Sequence, residues 1–144
     1  MSNFTITQLQ KNDYYNGFLR LLEQLTTVNS DEISYDDFSK YIDKIKSKVF
    51  IIKDNTSNKI IATATALIEN KFIHKLSSVC HIEDVVVDSE YRNKGLGKKL
   101  INHCVEYAKS KGCYKIILNC SEKNIQFYEK CGFHNKNVEM SLYV

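Results

Sequence analysis

The sequence predicts an α/β fold built on a mixed β-sheet. Three observations predict it. Some stretches place apolar residues at helical spacing, others are Val-, Ile- and Thr-rich runs bounded by polar turns, and the two kinds alternate along the chain. The 144 residues, 43% of them hydrophobic, suffice for one domain spanning 1–144 with a real core.

The elements follow in order. Residues 4–8 alternate as a strand does. Residues 13–24 read as a helix, with Phe18, Leu21, Leu22 and Leu25 at helical spacing. Ser34 and Asp37 form a capping box with Asp in place of Glu, and Phe38, Tyr41, Ile42 and Ile45 make the stripe of the helix behind it. Residues 48–53 and 59–69 flank a polar turn at 54–58 and predict a hairpin. Residues 81–87 are a strand ending in Val85-Val86-Val87, followed by a charged, glycine-containing loop over 88–97. The next helix carries Leu96, Leu100, Ile101, Cys104, Val105 and Ala108 on one face, and Gly112 stands where a left-handed cap is wanted. Residues 115–120 are a second buried strand, 121–130 a short helix closed by Gly132, and 138–144 a last strand.

Composition excludes several classes. A net charge of +3 is too mild for a nucleic-acid binder, and no apolar run reaches the length of a membrane span. The first residues lack the basic start and apolar stretch of a signal peptide, so the expected compartment is the cytosol. Cys80, Cys104, Cys113, Cys120 and Cys131 show no CxxC or Cys/His zinc spacing. They read as reduced structural thiols, and no metal is expected.

The densest chemical signal is Arg92-Asn93-Lys94-Gly95-Leu96-Gly97, between a strand and a helix. Glycines admit a ligand close to the backbone. The first turn of a helix offers unpaired N–H groups and a positive dipole end, a site for phosphate or pyrophosphate. Lys94, Lys98 and Lys99 add charge. The loop is neither a P-loop, lacking Gly-Lys-Ser/Thr, nor the dinucleotide fingerprint, lacking the third glycine.

Arg92-x-x-Gly95-x-Gly97 after a Val-rich strand resembles the acyl-CoA signature of the GNAT acetyltransferases. Asn124, Phe127-Tyr128 and Gly132-Phe133 are similar to that family's second signature. The stretches 71–74, 81–85, 112–118 and 127–133, with Thr26-Thr27, resemble the branch that acetylates glucosamine 6-phosphate. The resemblance implies the GNAT fold, a mixed central β-sheet flanked by helices on both faces. It implies acetyl-CoA as co-substrate, an amino-sugar phosphate as acceptor, and a homodimer formed through the C-terminal strand. The donor would be held by Val85, Val86, Val87, Arg92, Asn93, Lys94, Gly95, Leu96, Gly97, Lys98, Asn124, Tyr128, Glu129 and Lys130. Thr26, Lys71, Phe72, Ile73, His74, Glu83, Asp84, Val85, Tyr114, Lys115, Asn119 and Tyr143 would face the sugar phosphate.

The implied reaction is direct attack of the amine on the thioester carbonyl, in a ternary complex and without an acyl-enzyme. Glu83, a carboxylate beside a buried apolar strand, is the candidate proton acceptor, through water. A backbone N–H at residues 85–87 is the candidate oxyanion donor. Tyr128, a phenol with a reference pKa of about 10, stays protonated and is the candidate donor to the departing sulfur. Phe127 reads as a core aromatic. The chain departs from the branch at Asn119, where an acid is usual, at Tyr143, where fungal members carry arginine, and at Asn93, often glycine. Two alternatives stay open at this point: a GNAT enzyme acting on another small amine, and a non-catalytic CoA-binding domain.

Overall fold

The computed structural model describes residues 3–144. Five strands form one sheet in the order β1-β2-β3-β4-β5. They are β1 (Phe4–Gln8), β2 (Lys48–Asp54), β3 (Lys59–Asn70), β4 (Ser78–Val87) and β5 (Cys113–Ile117). The first four pair antiparallel with their neighbours, and β5 runs parallel to β4. A parallel neighbour requires a crossover, which α4 (Leu96–Ser110) supplies. The sheet is therefore mixed, as expected.

Alternation along β2 divides the core. Val49 and Ile51 face α1 (Phe18–Leu22) and α2 (Tyr35–Lys44), packing with Phe18, Leu21 and Phe38. Phe50 and Ile52 face α4, packing with Leu100, Ile101 and Cys104. Helices cover both faces. Leu100 and Ile101 are fully buried, and burying such a side chain contributes about 1.5–3 kcal/mol.

Local chemistry explains the boundaries. The Ser34 hydroxyl accepts from the Asp37 amide at 3.1 Å, and the Asp37 carboxylate accepts from the Ser34 amide at 3.2 Å, closing the expected capping box of α2. Those bonds, the backbone one foremost, hold the Asp37 carboxyl below its ordinary value. At the β2–β3 turn, Asp54 Oδ1 accepts from the Thr56 amide and Asn58 takes the left-handed conformation. Gly112, at φ +73°, follows α4 as its left-handed cap.

Several expectations are corrected. Residues 13–24 are not one helix. Gly17, at φ +86°, separates a 3₁₀ helix over Lys11–Asn16 from α1, because its left-handed backbone breaks the repeat. β4 begins three residues before 81, at Ser78, and β5 ends at Ile117 instead of 120. The expected helix over 121–130 divides into a 3₁₀ turn, Glu122–Asn124, and α5, Ile125–Lys130. Residues 138–144 form no strand: a strand needs a neighbour, and no described strand pairs with the outer edge of β5. Among the described residues no helix is long and apolar enough to cross a membrane.

Two irregularities shape β4. Thr65 pairs with Glu83 and Thr63 with Val86, so Asp84 and Val85 together oppose Ala64. This is a β-bulge, and Asp84 adopts φ +51° to make it. Pairing of β4 with β5 also stops at His81 and Ile117. Beyond that point the two strands part, and residues 82–87 have no neighbour on that side.

Candidate active site

The parted strands, the N-terminus of α4 and the start of α5 meet at one end of the sheet. Gly95 is the N-cap of α4, at φ +75°, and supplies no side-chain cap. The first bond along the helix runs from the Lys99 amide to the Gly95 carbonyl at 3.1 Å. The amides of Leu96, Gly97 and Lys98 precede it and are free for an anion. A Cβ at Gly95 would meet nothing within 4 Å, so that side is open. Asn93 holds φ +63°, a left-handed position that asparagine tolerates, which accounts for Asn where glycine is frequent. Arg92, Lys94, Lys98 and Lys99 are exposed around the turn. A pyrophosphate-bearing ligand fits this set.

Gly97 has a packing role beside the ligand approach expected of it. A Cβ there would stand 3.1 Å from Phe127 Cζ and 3.6 Å from Val87 Cγ2. The glycine admits an aromatic ring of α5, and that contact joins the two sequence signatures to the end of β4. Arg92 Nε donates to the Val87 carbonyl at 3.3 Å, so the loop folds back onto the same strand end.

Tyr128 follows Phe127 and is buried. Its ring stands edge-on to Phe127 at 4.9 Å and to Phe133 at 6.1 Å. Burial, reinforced by the Cys120, Cys131 and Cys104 thiols, pushes the phenol up to about 12. None of the described residues hydrogen-bonds its hydroxyl, so this proton is free for a ligand acceptor. Asn124, Glu129 and Lys130 are exposed on the same short segment. Val85 and Val87 are half-buried and Val86 is buried.

The acceptor residues are not all brought together by one chain. Thr26 lies in the turn that follows α1, its amide bonded to the Leu22 carbonyl at 3.2 Å. Glu83 and Asp84 lie exposed on β4 beside the cleft, so the apolar surround expected for Glu83 is absent. Lys71, Phe72, Ile73 and His74 occupy the β3–β4 connection instead, at the far end of β4. That connection contains α3 (Ile73–Leu76), a single turn in which His74, Lys75 and Leu76 all have positive φ. His74 lies over Tyr114 with ring centroids 4.1 Å apart, and Lys115 Nζ lies 5.8 Å from the same ring. Lys71 pairs with Glu69 at 3.2 Å. Ser78 and Glu83 are separated along β4 by roughly 17 Å at ~3.3 Å per residue. The two groups cannot grip one small acceptor within a single chain.

Asn119 follows β5. Its Nδ2 donates to Glu139 Oε1 at 2.7 Å. It neither caps nor pairs with the strand backbone; it holds the C-terminal tail. Tyr143 is fully exposed further along that tail. Between the outer edge of β5 and residues 134–139 runs a groove of about 890 Å³.

Sequence reasoning missed one polar node. Asp88, 3% exposed, accepts from the Glu90 amide at 2.9 Å and from Lys59 Nζ at 3.0 Å. Burial pushes its carboxyl up, and the Glu90, Lys59 and Gln24 hydrogen bonds more than offset this, holding it below its ordinary value. An Asp at a strand end just before a short turn is a capping signal; its remote partners left none.

Comparison with known proteins finds relatives over nearly the whole chain. Residues 10–133 match the Acetyltransferase (GNAT) family. The chain is 43% identical over 145 residues to the glucosamine 6-phosphate N-acetyltransferase of Arabidopsis thaliana, covering 97% of this chain and 96% of that protein. It is 40% identical to glucosamine 6-phosphate N-acetyltransferase 1 of Dictyostelium discoideum, over 94% of this chain and 88% of that one. The crystal structure of the Arabidopsis enzyme superposes with a TM-score of 0.95, at 41% identity and 99% coverage of both chains.

Proposed function

The chain belongs to the GNAT acetyltransferase family, and from that premise we propose how its residues carry out the reaction. It is an acetyl-CoA-dependent glucosamine-6-phosphate N-acetyltransferase. The products are N-acetylglucosamine 6-phosphate and CoA. The observation that carries the residue-level reading is the contact of Gly97 with Phe127, which sets the anion-binding turn one residue from the unpartnered Tyr128 phenol.

The amides of Leu96, Gly97 and Lys98, with Arg92, Asn93, Lys94 and Gly95, hold the donor's pyrophosphate. Val85–Val87 offer backbone groups to the rest of the donor, because β4 has left β5 there. A free N–H on that strand end polarises the thioester carbonyl. The amine attacks, the C–N bond forms, the C–S bond breaks and the sulfur leaves as thiolate. Glu83, through water, takes the amine's proton. Tyr128 donates a hydrogen bond to the sulfur. A thiol has a reference pKa of about 8.5, below the phenol's value, so Tyr128 stabilises the thiolate without giving up its proton outright. Asn124, Glu129 and Lys130 border the donor.

The acceptor site is completed by a second copy. Lys71–His74, Tyr114 and Lys115 lie too far from Glu83 on one chain to share one sugar phosphate with it. Val138, Met140 and Leu142 are each at least 85% exposed on a tail with which no described strand pairs. A partner's tail added along the outer edge of β5 supplies the missing neighbour and brings Tyr143 to the boundary. The setting is amino-sugar synthesis in a reducing, cytosolic compartment.

The test is thiol release from acetyl-CoA with a panel of amines: glucosamine 6-phosphate, glucosamine, polyamines and amino acids. Release with glucosamine 6-phosphate above all others is expected. Preference for an unphosphorylated amine would refute the acceptor assignment.

A further inference from the structure

Gln24 joins two parts of the molecule that the reaction must hold in register. Its Oε1 accepts from the Ser89 amide at 3.0 Å, across 65 residues of sequence. The same side chain also helps to hold the buried Asp88 carboxyl below its ordinary value. We propose that Gln24 is a positioning residue: it ties the turn carrying Thr26 to the junction where β4 becomes the donor-binding loop, and so sets the amine's side of the cleft against the thioester's side. The inference rests on the functional reading above.

Both ends of the tie are fixed. The Gln24 amide donates to the Leu21 carbonyl at 3.0 Å and the Thr26 amide to the Leu22 carbonyl at 3.2 Å, so the two residues share one turn. On the other side, Asp88 donates its amide to the Ile61 carbonyl at 2.8 Å, and the Tyr91 amide donates to the Asp88 carbonyl at 2.9 Å. The Tyr91 hydroxyl reaches Asp54 at 2.8 Å. Residues 88–91 are thus held against the hairpin and pass directly into Arg92 and the anion-binding turn. The Ser89 amide opens a 3₁₀ turn, Ser89–Tyr91, where early amides lack partners within the turn; Gln24 provides one from outside.

The tie is suited to alignment more than to stability. Gln24 is exposed, and an exposed neutral hydrogen bond adds little net stability because water replaces it. A two-substrate transfer, by contrast, loses rate steeply when its reacting atoms are displaced.

Gln24→Met keeps the length and apolar stem and removes the Ser89 hydrogen bond together with the polar group beside Asp88. Exchange of the Ser89 amide should quicken about tenfold, while the amides of Leu100, Ile101 and Cys104 are unchanged. The kcat/KM for glucosamine 6-phosphate should fall by about tenfold, well inside the ~10²-fold that small misplacements can cost. The Kd for CoA and the Tm should stay close to wild type. Gln24→Glu retains the acceptor for Ser89 but faces Asp88 with like charge, and should fall between the two. Unchanged Ser89 exchange, unchanged kcat/KM, or a matching loss in CoA affinity and Tm would each overturn the proposal. Wild-type protein that releases no CoA with glucosamine 6-phosphate would fail the functional reading instead, and amide exchange would still decide whether the tie exists.

Discussion

Tyr128 combines burial with a hydroxyl that no described residue engages. Tyr128→Phe keeps the edge-on packing and removes the donor. Turnover should drop ~10²–10³-fold under conditions where chemistry limits the rate, as when one donor to a developing charge is lost, with acetyl-CoA affinity little changed. Wild-type turnover in that variant would place the donor elsewhere. The same burial has a pH signature. The folded phenol titrates at about 12, above its ordinary 10, so the folded chain binds this proton more tightly than the unfolded chain does. Its contribution to stability is complete below pH 10 and is lost as pH rises through about 12. The Tm of Tyr128→Phe should therefore decline less steeply across that window than that of wild type. Asn119 makes a second test. It donates to Glu139, so Asn119→Asp would face one carboxylate with another. The expected result is faster amide exchange over residues 138–141, restored toward wild type by adding Glu139→Gln. Exchange unchanged in the single variant would mean that the tail is held by something else.

Between elements, the junction of α4 and α5 depends on one missing methyl. Gly97→Ala places a Cβ at 3.1 Å from the Phe127 ring, so the ring must give by a few tenths of an ångström. Gly97→Val should cost ~1–3 kcal/mol, as overpacked sites do, and weaken acetyl-CoA binding with it. Phe127→Leu should recover part of that loss, and a double-mutant cycle by denaturant unfolding would measure the coupling. Strict additivity would show that the contact is not shared. The glycine was legible as part of a ligand-approach motif, whereas its packing partner 30 positions on was not. Other elements divide in the same way. The stripe and cap of α4 and the Ser34–Asp37 box were readable because they depend on neighbours in sequence. Gly17 was read through as helix, because its left-handed backbone leaves the apolar spacing intact. The Asp84 bulge and the left-handed turn over His74–Leu76 have no composition signal. The Gln24–Ser89 and Asn119–Glu139 bonds belong to tertiary proximity alone. The tail alternates like a strand but forms none, because alternation sets which side chains share a face and does not provide a hydrogen-bonding neighbour.

At the scale of the molecule, β5 is an edge strand of the sheet, and the tail beyond it, 138–144, has no strand neighbour among the described residues. Sedimentation should give a homodimer at micromolar concentration. Deletion of residues 139–144 should give a monomer that retains CoA binding and loses sugar-phosphate turnover. A dimer that survives the deletion would locate the interface elsewhere. The sheet's connectivity also carries a consequence in time. β2, β3 and β4 pair antiparallel as successive hairpins, whereas β1 meets β2 only across the long stretch between Gln8 and Phe50, and β5 joins through the α4 crossover and parts from β4 after His81 and Ile117. Pairings between sequence neighbours close smaller loops and form sooner than crossover pairings. The donor's binding surface is divided between the end of β4 and the α4–α5 unit, so it comes into being only once that crossover unit has docked on the hairpins. Acetyl-CoA then has nothing to grip on the rate-limiting side of folding. In stopped-flow chevrons, saturating acetyl-CoA should slow the unfolding limb and leave the folding limb where it was: the enzyme's own substrate protects the finished molecule but does nothing to hasten its making.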